Sequence, residues 1–159
     1  MRIAPPQTGP CPAVPTTLVA SRALLGVIAR SLSDALQEVT MPQFRVLVIL
    51  AASGPLRMGS IAAMMGSHPS TFSRTVDRLV ARGWVERQVN QDSRRETLLE
   101  PTSAARALVD GVSARRAAEI SEILARLTPD EQNRVHEGMA LFAAAAGEPD
   151  ATDLLTLGL

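Results

Sequence analysis

The chain has 159 residues, 46% hydrophobic and 20% charged, enough apolar content for one ordinary domain with a real core or one domain plus an oligomerisation element. Its 16 basic and 16 acidic side chains cancel, which excludes a uniformly basic nucleic-acid coat, and its single Cys excludes an intramolecular disulfide. Every basic residue is Arg, Tyr is absent, and two His with one Cys are too few for a zinc cluster, so a cytoplasmic protein without cofactor or structural metal is expected.

Residues 1–15 contain Pro5, Pro6, Pro10, Pro12 and Pro15 and no apolar core, which reads as a flexible arm rather than a secretory signal. No apolar run approaches the roughly 18 to 20 residues that cross a bilayer, so no membrane partner is expected. From Thr16 the apolar residues Leu18, Leu25, Ile28, Leu32, Leu36 and Val39 recur at threes, fours and sevens, the pattern of one long amphipathic helix over 16–40. Thr40-Met41-Pro42-Gln43 then has the spacing of a capping box, in which Gln reaches back to the cap residue. The run that follows, 44–52, has the composition of a buried strand, but the cap and the length predict a buried helix, stopped by Ser53-Gly54-Pro55.

A short helix is predicted from Met58 to about Met65, with Ile61, Ala62 and Met65 inward and Gly66 at its end. After Ser67-His68-Pro69 a second helix runs to about Arg82, Pro being tolerated in a first turn. Phe72, Val76, Leu79 and Val80 form its apolar stripe. Ser70, Arg74, Asp77 and Arg78 lie on the opposite face, with Thr71 and Arg82 at the edges. Residues 84–89 and 96–100 read as two strands joined by the polar loop Asn90-Gln91-Asp92-Ser93-Arg94-Arg95. Helical character resumes near Thr102 and continues to Leu127; a second capping box, Thr128-Pro129-Asp130-Glu131, opens a last helix through Val135, Met139, Leu141 and Phe142. The tail Leu154-Leu155-Thr156-Leu157-Gly158-Leu159 is apolar enough to be expected to pack on a partner or on the first helix.

The fold class expected is therefore mainly α with a small β-hairpin wing. Short helix, tight turn, longer helix with an Arg-bearing face, then an Arg-tipped hairpin is the order of a winged helix-turn-helix. A slim helix with small hydroxyls fits a major groove, where Arg can bond two guanine acceptors at once. An Arg at a hairpin tip suits a narrow, electronegative minor groove. The partner expected is double-stranded DNA.

The zero net charge conceals a partition that fits this reading. Residues 1–40 hold three Arg and two acids, residues 41–100 eight Arg and five acids, and residues 101–159 five Arg and nine acids. A basic middle is offset by an acidic C-terminal part, so the field orients one face toward phosphate.

Residues 42–108 resemble the MarR family of bacterial transcriptional regulators. The residues that carry the likeness are Pro42-Gln43-Phe44-Arg45-Val46-Leu47, Ile61-Ala62, 70–79, Gly83-Trp84-Val85-Glu86-Arg87 and Asp92-Ser93-Arg94-Arg95. One departure is visible: the family opens the helix after its wing with Leu-Thr and then Gly, where this chain has Pro101-Thr102 and Ala105.

The resemblance implies a homodimer whose first and last helices interlock: an arm at 1–15, a first dimerisation helix at 16–40, the winged helix-turn-helix domain at 41–100, and C-terminal dimerisation helices and tail at 101–159. It implies a repressor on a palindromic operator, with Ser70, Thr71, Ser73 and Arg74 facing bases, Arg94 entering the minor groove and Asp92 holding that Arg. Ser67, His68, Arg78 and Arg95 complete the expected DNA-binding set. It also implies a small lipophilic or anionic effector between dimerisation and DNA-binding helices. Arg22, Arg30 and Arg45 are the cations considered for it, each also readable as a surface charge.

No phosphate loop, nucleophile with a placed His, or spaced carboxylate pair points to catalysis, so no catalytic residue is expected. Two rival readings stay open. One is a winged-helix protein-interaction module whose Arg face meets an acidic partner; the other is a redox-sensing regulator using Cys11, although a thiol in a Pro-rich arm has no group to activate it. The six Met residues read as packing, and His136 as a solvent-exposed residue.

Overall fold

The computed structural model describes residues 11–66, 69–89 and 97–147, and within them the side chains of residues 69–71 are not described. The elements in order are α1 (Ala13–Leu32), α2 (Ala35–Glu38), α3 (Met41–Ser53), β1 (Leu56–Arg57), α4 (Met58–Met64), α5 (Pro69–Ala81), β2 (Val85–Val89), β3 (Thr97–Pro101), α6 (Ser103–Leu124) and α7 (Pro129–Ala146).

The helix expected over 16–40 is two helices. α1 begins at Ala13, so Pro15 sits in its first turn, where a missing N–H costs nothing. It ends at Leu32 because Ser31 and Ser33 turn their hydroxyls back onto the carbonyls of Ile28 and Arg30, both at 2.9 Å, competing with the helical ladder. α2 then redirects the chain, carrying Ala35 and Val39 into the core. Much of the stripe read as amphipathic faces outward: Leu18 is 61% exposed and Leu25 65%. α1 is also, by length and composition alone, long and apolar enough to cross a bilayer, contrary to expectation. It lies against α6, with Val27 buried and Arg30 paired to Glu119.

α3 is the central helix. Gln43 Oε1 accepts from the Thr40 N–H at 2.8 Å and from its hydroxyl at 3.1 Å, which closes the first turn as the spacing required. Phe44, Val46, Leu47, Val48 and Leu50 are all buried, so apolar residues all round the helix reflect enclosure rather than a strand. Around it pack Ile61 and Ala62 of α4, Phe72, Val76 and Leu79 of α5, Val85 and Leu99 of the sheet, and Ala105, Val109 and Val112 of α6.

The expected hairpin is part of a three-stranded antiparallel sheet in the order β1-β3-β2. β2 pairs β3 in register from Val85↔Pro101 to Val89↔Thr97, and β1 adds Leu56↔Leu99 and Arg57↔Leu98 on the other edge. Two residues are too few to show an alternation, which is why β1 is invisible in the sequence. The Pro101-Thr102 departure is accommodated locally. Pro101 ends β3, and Thr102 caps α6, accepting from the Ala105 N–H at 3.2 Å while its hydroxyl donates to the Gly83 carbonyl at 2.9 Å.

α7 is different from the rest. Its capping box is complete, with Glu131 Oε2 accepting from the Thr128 N–H at 2.9 Å, yet none of its residues is buried. The expectation that the methionines pack inside fails for most of the described ones: Met41, Met58, Met64 and Met139 are exposed, and only Met65 leans on the core.

Candidate nucleic-acid interface

α4 and α5 form a helix-turn-helix because each buries one stripe against the other and against α3. Gly66, at φ 59°, ends α4 in a conformation that a side chain resists. On α5 the stripe Phe72, Val76 and Leu79 is buried, which turns Arg74, Asp77 and Arg78 outward; all three are exposed, and Ser73 is half-buried.

The ion pairs decide which of these charges stay available. Along α5 the cations next to Asp77 are Arg74, three residues before it, and Arg78, one after it. Instead Asp77 Oδ1 lies 2.5 Å from Arg87 Nη2 on β2, and Arg82 reaches Glu38 of α2 at 3.8 Å. Among the described residues, Arg74 and Arg78 have no ion-pair partner. Two guanidiniums one helical turn apart thus project from one face with no acidic partner among the described residues. Unpaired, outward charge of this kind suits a polyanion.

The base of the wing is firmly attached. Gly83 adopts φ 72°, the Trp84 N–H donates to the Leu79 carbonyl at 2.9 Å, and the Thr102 N–H donates to the Trp84 carbonyl at 3.1 Å. Half-buried Trp84 packs on the core. Gln88 and Glu100 bond across the strands on the far face.

The other expected site residues divide by what is described. Ser70 and Thr71 belong to α5 by backbone, and their side chains lie outside the described residues; Ser67, His68, Asp92, Arg94 and Arg95 lie outside them entirely. Of the cations considered for an effector, Arg22 and Arg45 are exposed and Arg30 is committed to Glu119, whose carboxylate raises the Arg30 pKa. Cys11 is exposed, as is His136.

Sequence reasoning missed a polar seam between α1 and α6. The carbonyl of buried Ser31 accepts from Nε and Nη2 of Arg115, both at 3.3 Å, and its hydroxyl accepts from Arg116 Nε at 3.4 Å. Arg115 also lies 3.8 Å from Asp34. Burial lowers the Arg116 pKa, since desolvation disfavours the charged form. Nothing in the local sequence marks these partners, because they are more than 80 residues apart.

Apolar side chains of α1 and α7 are left uncovered. Val14, Leu18, Val19 and Leu25 of α1 and Leu141 and Phe142 of α7 are all more than half exposed. Between them Cys11, Ala13, Val14, Thr17, Leu18 and Phe142 line a cavity of about 280 Å³. Val14 and Leu18 of α1 thus meet Phe142 of α7 at one exposed apolar site.

Comparison with known proteins gives a consistent result. The MarR family model matches residues 39–97. The uncharacterized HTH-type transcriptional regulator YfiV of Bacillus subtilis is 30% identical over 108 residues, 68% of this chain and 68% of that protein. The crystal structure of RV1404 from Mycobacterium tuberculosis is 37% identical, with a TM-score of 0.72 over 87% of this chain and 94% of that one. A Staphylococcus aureus MepR mutant bound to an oligodeoxyribonucleotide shares the fold, with a TM-score of 0.65 at 14% identity over 86% of this chain and 99% of that one.

Proposed function

The chain belongs to the MarR family of transcriptional regulators, with their DNA-binding winged-helix fold, and from that premise we propose that it is a homodimeric repressor of a palindromic operator. Arg74 and Arg78 on the exposed face of α5, without an ion-pair partner among the described residues, carry this reading. In it, residues 41–100 meet DNA, and residues 16–40 and 101–159 build the dimer. α5 enters the major groove, where Ser70, Thr71, Ser73 and Arg74 meet base edges and Arg78, with Ser67 and His68 at the helix start, meets phosphates. Arg94 reaches the minor groove, held by Asp92 and flanked by Arg95. The MepR complex supports the use of this fold on DNA.

Two-fold symmetry sets the half-sites about one helical turn, roughly 10 base pairs, apart. The exposed face of α1 and α7 supports the dimer, since a helix with no buried residue in its own protomer needs a partner to stay folded. A small lipophilic or anionic effector that shifts the dimer away from its DNA-binding geometry completes the proposal. The protein works in the cytoplasm, where its DNA is.

The test is a titration of purified protein against its selected operator and a scrambled duplex of equal length at several salt concentrations. Tight operator binding that weakens log-linearly with salt is the expected result. Equal, salt-independent signals on both duplexes would overturn DNA binding and favour a protein-interaction module with an acidic partner.

A further inference from the structure

Asp77 is out of place on a surface that meets phosphate. It sits three residues after Arg74 and one before Arg78 on the exposed face of α5, where a free carboxylate would repel the nucleic-acid backbone. Its charge is instead satisfied across a gap between elements, 2.5 Å from Arg87 Nη2 on β2. Strand alternation explains how Arg87 gets there. Val85 and Arg87 share one face of the sheet; Val85 enters the core, and Arg87, two residues further out, turns to the helix at the core's edge.

Among the described residues, the wing's other attachments are at its base and along β3, whose Leu99 is buried and pairs with Leu56 of β1. The bonds of Trp84 to Leu79 and of Thr102 to Gly83 and Trp84 hold residues 83–84 and 102. Beyond Val85 every residue of β2 is exposed, so its own side chains do not enter the core and it is held through its pairing with β3. Among the described residues, the Asp77–Arg87 pair is the ion pair that ties this outer part of β2 directly to α5.

We propose that Asp77 and Arg87 are positioning residues: their ion pair fixes the angle between α5 and the wing, so that helix and wing arrive on one half-site with a single spacing. Neither residue reads a base. The inference rests on the DNA-binding reading above. A wing tied to α5 only at its base, with β2 otherwise held through β3, samples a range of angles relative to that helix, and its contact with DNA must then first restrict that motion. A wing already set adds its contact without that cost. The rival is that Arg87 is itself a phosphate contact for which Asp77 is only a resting partner. The two differ in sign for Asp77→Asn: a clamp loses affinity, whereas release of a phosphate-binding Arg gains it.

The experiment uses the full-length protein and fluorescence anisotropy on the selected operator and a scrambled duplex at one salt concentration. Asp77→Asn, Arg87→Gln, the double neutral variant and the exchange Asp77→Arg/Arg87→Asp are compared. Each single variant is expected to weaken operator binding about threefold per protomer, and so about tenfold for a dimer carrying two pairs. The double neutral variant should be no weaker than either single, because both remove one interaction, and the exchange should regain affinity. Unchanged or tighter operator binding by Asp77→Asn overturns the clamp, as does Arg87→Gln weakening both duplexes equally.

A second measurement judges the clamp without DNA. Hydrogen exchange in Asp77→Asn should quicken at residues 86–89 and stay unchanged at the buried residues 46–50 of α3. If the unaltered protein binds neither duplex, the DNA reading falls. Unchanged exchange at 86–89 still overturns the clamp on its own.

Discussion

At the scale of single residues, position on a face matters less than the partner a charge finds. Arg74 and Arg78 on α5 and Arg82 just past its end are equally spaced, but Glu38 engages Arg82, and the first two have no ion-pair partner among the described residues. Arg74→Ala should therefore cost operator binding about 1–3 kcal/mol if Arg74 bonds a base edge. The check is the scrambled duplex, since equal loss on both would make Arg74 a phosphate contact. Glu131 offers a pH-dependent case. Its carboxylate accepts from the Thr128 N–H and hydroxyl, which lower its pKa below the usual range. A depressed folded-state pKa means the stabilisation is fully present above the ordinary Glu value, about 4.3. It is then lost as pH falls through the lower folded value. Glu131→Gln keeps an acceptor but cannot titrate. Thermal melts from neutral pH into the acid range should show a smaller loss of stability in the variant, and superimposable profiles would contradict the cap's role.

At the scale of elements, the turns show where backbone conformation rather than packing imposes a residue. A Cβ at Gly83 would meet no atom within 4 Å, so only its φ of 72° opposes a side chain there. Gly83→Ala should then cost about 1 kcal/mol by urea denaturation. Gly59 has the same open surroundings inside α4 without a positive φ, and Gly59→Ala should stabilise by about 0.5–1 kcal/mol. Opposite signs for two Gly→Ala changes in equally open space isolate the backbone term. The α1–α2 break illustrates the converse, a boundary written in side chains. Serine hydroxyls at 31 and 33 bond back to carbonyls and let the chain turn, so Val39 enters the core while Leu25 stays outside.

At the scale of the whole molecule, the charge partition and the apolar face divide the protein into two ends. The basic segment 41–100 carries α5 and the wing, and the acidic C-terminal part carries α7, none of whose residues is buried. If the proposed dimer forms through this face, Leu25→Glu combined with Phe142→Glu should give a monomer in sedimentation velocity where the unaltered protein gives a dimer, and should abolish tight operator binding. The folded core should be retained, because both side chains are more than half exposed. A doubly substituted protein that stays dimeric would place the interface elsewhere.

Much of this molecule is legible in its sequence because the signals are local. The capping boxes at Thr40 and Thr128, the Phe72-Val76-Leu79 stripe and the glycines at 54, 66 and 83 each act within a few residues, so most of the helix order and the buried face of α5 follow from the chain alone. The family likeness rests on those same residues. What the tertiary structure decided are the contacts between distant segments: β1 as a third strand, the split of the first helix, Ser31 receiving Arg115 and Arg116, and Asp77 turning from its helix neighbours to Arg87. These depend on which surfaces meet after α3 is enclosed, and no periodicity along a chain records the partner of a charge that lies on another element. The outward turn of the apolar stripe on α1 has the same origin. A period of 3.6 shows that a face is apolar, while only packing shows whether that face is covered by the same chain or left for another.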